Sequence, residues 1–404
     1  MKEYFPQDVF AGAASAQHLP RVIISPSRYI QGNGVLNHLG RYLSILHCRK
    51  PAILITDGGL ERVGKRVFQS LKHAGTEDPI VLLFKGECSD EEVSRHVKHL
   101  QSHEIDVLVA VGGGKCLDAG KCIAYCVSVP VVICPTLAST DAPCSAVSVM
   151  YTPDGSFERP WFFPDGPALV VVDTGVVARA PVRYLVAGMG DAMSTFYEAR
   201  TCFRNPEGRT MIGGRPTAAA VAIAELGARL LFEDGKKALE AVSRLEVNEA
   251  VENIVEANTL LSGMGFESGG LAAAHGVAQV LPMIPFIHKN YLHGEMVAVG
   301  LLAHLCLEGE TDEARRIAEY FAEIGLPVHL GQLSLSVDRH TRELERVVDE
   351  ALKIFFVHNE PFKVTEQNLK QALWESNRLG MDVAKKKGDA AFRRLHPPGV
   401  LGDD

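Results

Sequence analysis

The sequence predicts an α/β N-terminal domain built on a parallel sheet, followed by an all-α C-terminal domain. Before about residue 180, short β-branched apolar runs without polar alternation recur between amphipathic segments. Such runs are typical of strands buried on both faces, and their alternation with helices indicates parallel pairing. After that point the strand signals end and long segments of helical periodicity follow. We therefore predict two domains, residues 1–180 (with 1–20 as an extension) and 181–404.

Six strands and two well-marked helices are expected in the first domain. The predicted strands are Arg21–Ser25, Ala52–Thr56, Ile80–Phe84, Val107–Val111, Val129–Cys134 and Ala168–Val172. The predicted helices between them include Glu61–His73 and Ser89–Gln101. The second of these helices is well capped, because Ser89 precedes three acidic residues that suit a helix N-terminus.

Eight helices are expected in the second domain. They are Arg183–Phe203, Thr217–Phe232, Lys236–Ser262, Gly270–Val280, Asn290–Glu308, Asp312–Ile324, Thr341–Phe355 and Glu366–Arg378. Pro216 before one start and Gly325 after one end are ordinary helix punctuation. The tail from Lys385 is basic and then Pro-rich, so we expect it to be solvated.

Composition excludes several classes of protein. Of the 404 residues, 47% are hydrophobic and 22% are charged, which excludes a disordered chain, a collagen and a coiled coil. No apolar run approaches the roughly 20 residues that span a bilayer. The net charge of −8 argues against nucleic-acid and anionic-membrane partners. The nine cysteines include no CxxC pair and the N-terminus has no secretory signal, so we expect reduced, buried thiols and a cytoplasmic location.

A glycine-rich turn follows the fourth predicted strand. Val107–Val111 leads directly into Gly112, Gly113, Gly114 and Lys115, and a helix containing Asp118 begins there. Glycines at a helix N-terminus expose backbone N–H groups to a phosphate, and Lys115 adds charge. The spacing is neither that of a Walker A loop nor GxGxxG, and a tight turn without a ligand remains the alternative.

Asp57 follows the second predicted strand directly. A carboxylate at the carboxyl end of a strand can accept both adenosine-ribose hydroxyls of NAD, and it repels the 2′-phosphate of NADP. The alternative is that Asp57 and Gly58 only form a turn. Because the glycine turn and the carboxylate complement each other, together they favour a dinucleotide.

A third polar segment, residues 135–145, follows the strand Val129–Cys134 at the ligand-binding edge of the sheet. Thr136 and Ser139 can donate to phosphate or ribose, and Asp141 can bind a polyol. The alternative is a capped loop without a ligand.

Asp191, His275 and His293 are candidate metal ligands in the helical half. Two neutral imidazoles and one carboxylate, with a position left for substrate, form a catalytic zinc site. Their separations of 84 and 18 residues do not indicate a site by themselves. His304 follows His293 by 11 residues, about 16 Å along a helix, so those two cannot share an ion. Periodicity therefore does not choose the ligands.

Several segments together resemble the glycerol dehydrogenase branch of the iron-containing (group III) alcohol dehydrogenase superfamily. They are GGGKCLDAGK, PTLASTDAPCSAVSVMY, AGMGDAMSTFYEA, FESGGLAAAH, HGEMVAVG and the late His358-Asn359. The resemblance runs in order from about Ser25 to Arg378. It implies a dehydroquinate synthase-like fold, with an N-terminal NAD domain, a helical domain, and zinc and substrate in the cleft between them.

The resemblance also implies roles for individual residues. The zinc ligands would be Asp191, His275 and His293, which also meet the substrate, and Asp141 would bind glycerol. Cofactor contacts would come from ten residues: Asp57 at the adenosine ribose, Gly113, Gly114, Lys115 and Asp118 around the pyrophosphate turn and its helix, and Thr136, Ser139, Ser145, Val147 and Tyr151 towards the nicotinamide. The implied cofactors are NAD and Zn²⁺.

Two positions bear on metal and substrate. Iron-using relatives carry a histidine where this chain has Thr195, so zinc is favoured. The stretch Gly276–Val280 replaces a more polar one, which leaves the preferred diol open. The family also implies a homo-oligomer, often an octamer.

The expected reaction is oxidation of glycerol, or a related vicinal diol, to dihydroxyacetone. Zinc would bind the secondary hydroxyl and lower its pKa, and hydride would pass from the resulting alkoxide to the nicotinamide. One alternative is a glycerol-1-phosphate dehydrogenase-like enzyme, with 3-dehydroquinate synthase further off; both need a cationic pocket, for which Arg215 and Lys289 are the candidates. A non-catalytic NAD-binding protein on the same scaffold is the other alternative.

Overall fold

The computed structural model describes residues 4–10 and 19–397. Within these ranges the strands are β1 Tyr29–Gly32, β2 Pro51–Ile55, β3 Ile80–Leu83, β4 Val107–Gly112, β5 Val131–Pro135, β6 Val147–Tyr151, β7 Phe157–Phe162 and β8 Leu169–Asp173. The first helices are α1 Pro6–Phe10, α2 Leu39–Leu43, α3 Asp57–Gly59, α4 Lys65–His73, α5 Asp90–Leu100, α6 Gly114–Val127 and α7 Thr174–Val177.

The described chain after residue 180 is helical. Its helices are α8 Val182–Arg204, α9 Ala218–Ser243, α10 Glu249–Glu256, α11 Ser262–Gly269, α12 Ala273–Val280, α13 Pro285–Asn290, α14 His293–Leu307, α15 Thr311–Ile324, α16 Thr341–Ala351, α17 Glu366–Lys387 and α18 Ala390–Leu395. A π-helical turn, Ala257–Leu261, joins α10 to α11. None of the helices in the described ranges is long and apolar enough to cross a bilayer.

Six strands form the predicted parallel sheet, in the order β1-β8-β5-β4-β2-β3. Alternate residues of β2 face opposite sides: Ile53 and Ile55 join one apolar cluster with α2 and α4, while Ala52 and Leu54 join another with α5 and α6. Burial on both faces explains why these strands lack polar alternation in sequence.

The predicted strand Arg21–Ser25 is wrong. Only Arg21 forms an isolated bridge, to Arg215, and the edge strand is β1, which pairs with β8. The β-branched residues of this segment indicated a strand, but its backbone forms hydrogen bonds with residues outside the sheet. The backbone N–H of Ile24 donates to Ser268 Oγ at 2.9 Å, in the helical half. Tertiary contacts therefore override the local propensity.

The antiparallel pair of β6 and β7 was not predicted. Pro153, Asp154 and Gly155 indicate a turn between its two strands in the sequence. Pro160 lies within β7, however, and a proline makes residues 157–162 resemble a loop. Proline is tolerated here because β7 pairs on one side only, as an edge strand does.

Most helix predictions in the second half are confirmed, but some boundaries move. The break expected after Phe232 is absent, because α9 continues through Gly235 to Ser243. A side chain at Gly235 would overlap the Tyr320 hydroxyl, so this glycine serves packing and does not end the helix. The next helix, α10, begins after Asn248, which caps it.

The side chains of residues 385–388 are exposed, as expected for a solvated tail, but the expectation is wrong for the segment that follows, which packs on the protein. Helix α17 continues to Lys387, and α18 follows with Phe392 buried. His396 is also buried, at 3% exposure. The last residues of the tail, 398–404, lie outside the described ranges, as do residues 1–3 and 11–18 of the predicted extension. All nine cysteines are free thiols, and eight are buried, as expected.

Candidate metal centre and active site

Three helices bring the predicted metal ligands together. Asp191 lies in the middle of α8, His275 in the first turn of α12, and His293 is the first residue of α14. Close approach of α8 and α14 depends on Gly294, where a Cβ atom would overlap the carbonyl oxygen of Ala187. Glycine at this position therefore sets the distance between two of the ligands.

The donor atoms of Asp191, His275 and His293 all lie within 4.8 Å of one another. Nε2 of His275 is 3.3 Å and Nε2 of His293 is 3.5 Å from Oδ1 of Asp191. Ligand atoms at zinc-bond lengths around a tetrahedral ion are separated by about 3.3 Å, so the spacing fits such an ion.

The carboxylate of Asp191 is the clearest sign that an ion belongs here. Asp191 is 1% exposed, and its carboxylate is paired with the imidazoles of His275 and His293, which are themselves the other two candidate ligands. A carboxylate buried between two imidazoles is costly to desolvate, and a divalent cation shared by all three side chains would compensate that cost. Two imidazole nitrogens and one carboxylate oxygen are the donor set of a catalytic zinc site with an open position.

Glu198 fixes His275 and was not predicted as a site residue. It accepts hydrogen bonds from the backbone N–H groups of Ala272, at 2.8 Å, and of His275, at 2.9 Å. Nδ1 of His275 lies 2.5 Å from Glu198 Oε2. Donation from Nδ1 leaves the lone pair of Nε2 towards Asp191, as a metal ligand requires. The available signal was that Glu198 follows Asp191 by two helical turns.

Electrostatics within the cluster set the protonation preferences of the three ligands. Burial would raise the pKa of Asp191, but His293 and His275 outweigh it and hold that pKa low. Desolvation lowers the pKa of His293, which favours the neutral, ligating ring. For His275, burial opposes the charge, yet Glu198 and Asp191 raise its pKa well above the usual value. A bound cation would displace that proton.

Asp141 lies beside the cluster on the loop after β5. Its Oδ2 accepts a hydrogen bond from Ser262 Oγ at 2.9 Å, and Ser262 also bonds Thr195 at 2.9 Å. Desolvation, and then the charge of Asp191, raise the pKa of Asp141 well above its usual range. Thr195, where iron-using relatives are expected to have histidine, thus serves as a polar link in the wall of the site.

A buried ion pair holds the loop that follows Asp141. Lys121 Nζ donates to the carbonyl oxygens of Ala142, at 3.0 Å, and Val147, at 2.5 Å, and lies 2.8 Å from Asp118 Oδ1. On the other side, Glu267 accepts from the N–H of Ala146 at 2.9 Å. Neither Lys121 nor Glu267 was predicted, since only the folded loop brings them to its backbone.

These contacts bear on two predicted cofactor residues. The carboxylate of Asp118 is held by Lys121 and by the N–H of Val149, at 3.0 Å. The hydroxyl of Ser145 lies 3.3 Å from the carbonyl oxygen of Val147. The surroundings of Asp118 and Ser145 therefore favour support of the loop over direct contact with a cofactor.

The predicted cofactor residues follow adjacent strands at one edge of the sheet. Ile55 of β2 is level with Val111 of β4, and Gly112 is level with Pro135 of β5. The chain passes from β2 to β3 on one side and then to β4 on the other, so the strand order reverses between β2 and β4. Ligands of open parallel sheets bind at such a reversal.

The turns at this edge are open to a ligand. Asp57 is exposed after β2, and Gly113 is the N-cap of α6 without a side-chain cap. The ammonium of Lys115 forms an ion pair with the Glu87 carboxylate at 2.6 Å, so its charge is not free to face the glycine turn. Of the remaining predicted contacts, Thr136 and Val147 are buried, and Ser139 and Tyr151 are half-buried.

Known proteins resemble the chain over most of its length. Residues 26–174 match the family model described as iron-containing alcohol dehydrogenase. The glycerol dehydrogenase of Thermotoga maritima is 44% identical over 364 residues, covering 88% of this chain and 97% of that protein. That of Escherichia coli is 43% identical over 365 residues, covering 90% and 98%.

A solved structure agrees with these sequence relatives. The crystal structure of glycerol dehydrogenase from Schizosaccharomyces pombe superposes with a TM-score of 0.86 at 33% identity, covering 95% of this chain and 96% of that one. The shared fold and the high identity over nearly whole chains place the protein among oxidoreductases. The chain belongs to the iron-containing alcohol dehydrogenase family, in the branch of the glycerol dehydrogenases.

Proposed function

We propose that this protein is an NAD-dependent, zinc-dependent dehydrogenase that oxidises glycerol, or a related vicinal diol, to the corresponding ketone. The observation that carries the proposal is the buried carboxylate of Asp191 between two imidazoles, with Asp141 beside it. The similarity to glycerol dehydrogenases supports glycerol as substrate and dihydroxyacetone as product.

Asp191, His275 and His293 would hold the ion, and the donor set fits zinc. When bound, the ion supplies Lewis acidity that makes a substrate hydroxyl more acidic. Glu198 keeps the His275 ring in the tautomer whose Nε2 faces the ion. Thr195 offers no further imidazole, which supports a three-ligand site.

The protein's own residues position the substrate. Asp141 can accept a hydrogen bond from a neighbouring hydroxyl of a diol, and Ser262 fixes the carboxylate for that purpose. The Lys121 and Glu267 contacts keep the loop carrying Asp141 in one conformation. Such positioning turns a bimolecular encounter into an aligned reaction, which is a large part of catalysis.

The sheet edge supports a dinucleotide. The N-terminus of α6 at Gly113 can bind the pyrophosphate, and Asp57 can accept the ribose hydroxyls, which favours NAD over NADP. A dinucleotide held by these residues would supply the hydride acceptor that oxidation of an alcohol requires. Val147 and Tyr151, on β6, are the candidates for the nicotinamide side.

The test is NADH formation at 340 nm with glycerol, before and after chelation and after zinc is restored. We expect activity to fall with the metal and return with it, and His275→Ala to be inactive at all zinc levels. His99→Ala, on the exposed surface of α5, is the matched control. Oxidation of glycerol 1-phosphate but not glycerol would favour the phosphate-dependent alternative, and zinc binding without any polyol oxidation would favour the non-catalytic one.

A further inference from the structure

Glu295 lies two residues after the ligand His293, in the first turn of α14, and its carboxylate binds three parts of the chain. Oε2 accepts from the N–H of Leu292, at 2.8 Å, which caps the helix. Arg183, on α8, donates to both oxygens at 2.7 Å. The third part of the chain is the C-terminal segment, where Nε2 of His396 lies 2.8 Å from Oε1 of Glu295.

His396 is held rigidly for this contact. Its Nδ1 donates to the carbonyl oxygen of Phe392 at 2.9 Å, and its ring stacks on that of Phe392 with centroids 4.0 Å apart. Helix α18 is itself fixed against the end of α15, where Leu395 and Ala391 pack so closely on Gly325 that a Cβ atom there would lie 2.8 Å from Leu395. The side chain of His396 is fully buried.

His293 is the ligand that most needs support from its helix. The ring of His275 is held by Glu198, and Asp191 lies within a long helix. The ring of His293 is 41% exposed and, among the described residues, has no hydrogen-bond partner of its own. Because His293 is the first residue of α14, its position depends on how firmly the first turn of that helix is fixed.

We propose that His396 is a positioning residue for the metal centre. Through Glu295 it fixes the first turn of α14, and the turn holds His293 at the distance from Asp191 that an ion requires. The C-terminal segment is therefore part of the framework of the site, although it contacts neither substrate nor cofactor. This inference rests on the proposed metal-binding function of Asp191, His275 and His293.

The test compares two amides at position 396 by titrating the metal-free protein with Co²⁺, which reports ligand geometry through its visible absorption. In His396→Gln the amide nitrogen takes the place of Nε2 and can donate to Glu295. In His396→Asn the amide nitrogen takes the place of Nδ1 and can donate only to the Phe392 carbonyl. Supporting contacts of this kind typically change metal affinity about 10- to 100-fold. We expect His396→Asn to lose about tenfold or more with an altered band, and His396→Gln to retain most of the affinity and the wild-type band.

Arg393→Ala is the matched control, because it removes an exposed ion pair with Asp389 on the same helix without touching Glu295. Equal Co²⁺ affinity and an identical band in wild type and His396→Asn would overturn the inference while leaving the metal site intact. If wild type itself binds no Co²⁺ or Zn²⁺, the proposed function fails instead. Should His396→Asn not fold, His396→Phe decides on the same criteria, since it keeps the stacked ring and removes both nitrogens.

Discussion

Two buried carboxylates differ in what their surroundings provide. Asp191 is flanked by the imidazoles of His275 and His293, both of them candidate ligands, whereas Asp118, also buried, is held by the ammonium of Lys121 and the N–H of Val149. A buried charge is retained against its desolvation cost either because it pairs within the protein or because it pairs with a ligand. Asp118 belongs to the first kind, and under the proposed function Asp191 belongs to the second.

We therefore expect Asp191→Asn and Asp118→Asn to fail in different ways. Asp191→Asn should lose stoichiometric zinc, and the metal-free protein should lose only part of the charge compensation of His275, because Glu198 remains beside that ring. Asp118→Asn should retain zinc but lose about 3 kcal/mol, because the buried ammonium of Lys121 is left without its charge partner. Elemental analysis and chemical denaturation of both proteins check this, and equal zinc contents would contradict it.

Substitution of Asp57 tests whether this carboxylate binds the adenosine ribose of the cofactor. Replacing Asp57 with Ala would remove its charge-assisted hydrogen bonding to the ribose; because one such bond is worth about 1.5–3 kcal/mol, kcat/KM for NAD should fall by at least roughly 10- to 150-fold. Discrimination against NADP should relax at the same time, since the repelling charge is gone. Glu61→Ala, exposed and one turn later, should change neither value. Unchanged kinetics in Asp57→Ala would mean that the adenosine ribose binds elsewhere.

Sequence motifs pointed to the three residues that the structure brings together, but spacing along the chain did not. Asp191, His275 and His293 are far apart in sequence, and no periodicity separates them from His304, which the structure pairs with Glu360 at 2.9 Å. Glu198 lies within a quoted motif, yet its role became visible only when α12 was placed beside α8. Supporting contacts are long-range by nature, so a local pattern cannot reveal them.

At the scale of elements, α14 is the structural centre of the helical half. Every residue from Gly294 to Cys306 is buried, and the helix packs on both α8 and α12. Glycines make both contacts possible: Gly294 meets the Ala187 carbonyl of α8, and Gly300 meets the Ala274 carbonyl of α12. The candidate metal ligands on these three helices are thus spaced by backbone contacts.

Gly294→Ala should push α8 and α14 apart. Because the added Cβ meets a backbone carbonyl that cannot move away, we expect a loss of about 1–3 kcal/mol in stability and weaker zinc binding. Gly227→Ala is the control: it lies inside α9, and its nearest neighbour would be Leu261 Cβ at 3.4 Å, an ordinary contact. It should be neutral or stabilise by up to about 1 kcal/mol. Thermal unfolding and zinc content measure both, and a neutral Gly294→Ala would refute the packing argument.

Caps and buried strands were predictable, and segments shaped by partners were not. Ser89 accepts from the N–H of Glu92, as its sequence position indicated. Residues 21–25 look like a strand in isolation but bond to the helical half, and 157–162 form a strand despite Pro160. The first segment takes its conformation from residues far away in sequence, and the second takes it from pairing with β6, which Pro160 conceals in the sequence.

In the whole molecule, the two halves share one core. Ala110 and Leu117 of the sheet half belong to the same apolar cluster as Leu185 and Met189 of α8. Polar contacts cross as well, since Tyr29 Oη lies 2.7 Å from Thr259 Oγ1. The dinucleotide edge and the metal cluster are therefore presented by one continuous packed framework, although each draws its own residues from a different half.

Ligand binding should stabilise this framework in two separable ways. Zinc at about 100 times its Kd should add about 2.7 kcal/mol, and so raise Tm by several degrees, because it binds residues of α8, α12 and α14 together only in the folded state. NAD should add its own increment through the sheet edge. In Asp191→Asn the zinc increment should vanish while the NAD increment remains, as thermal unfolding with each ligand alone would show. An undiminished zinc shift in that variant would place the ion elsewhere, whereas loss of both increments would mean that the cofactor edge depends on the metal cluster through the shared core.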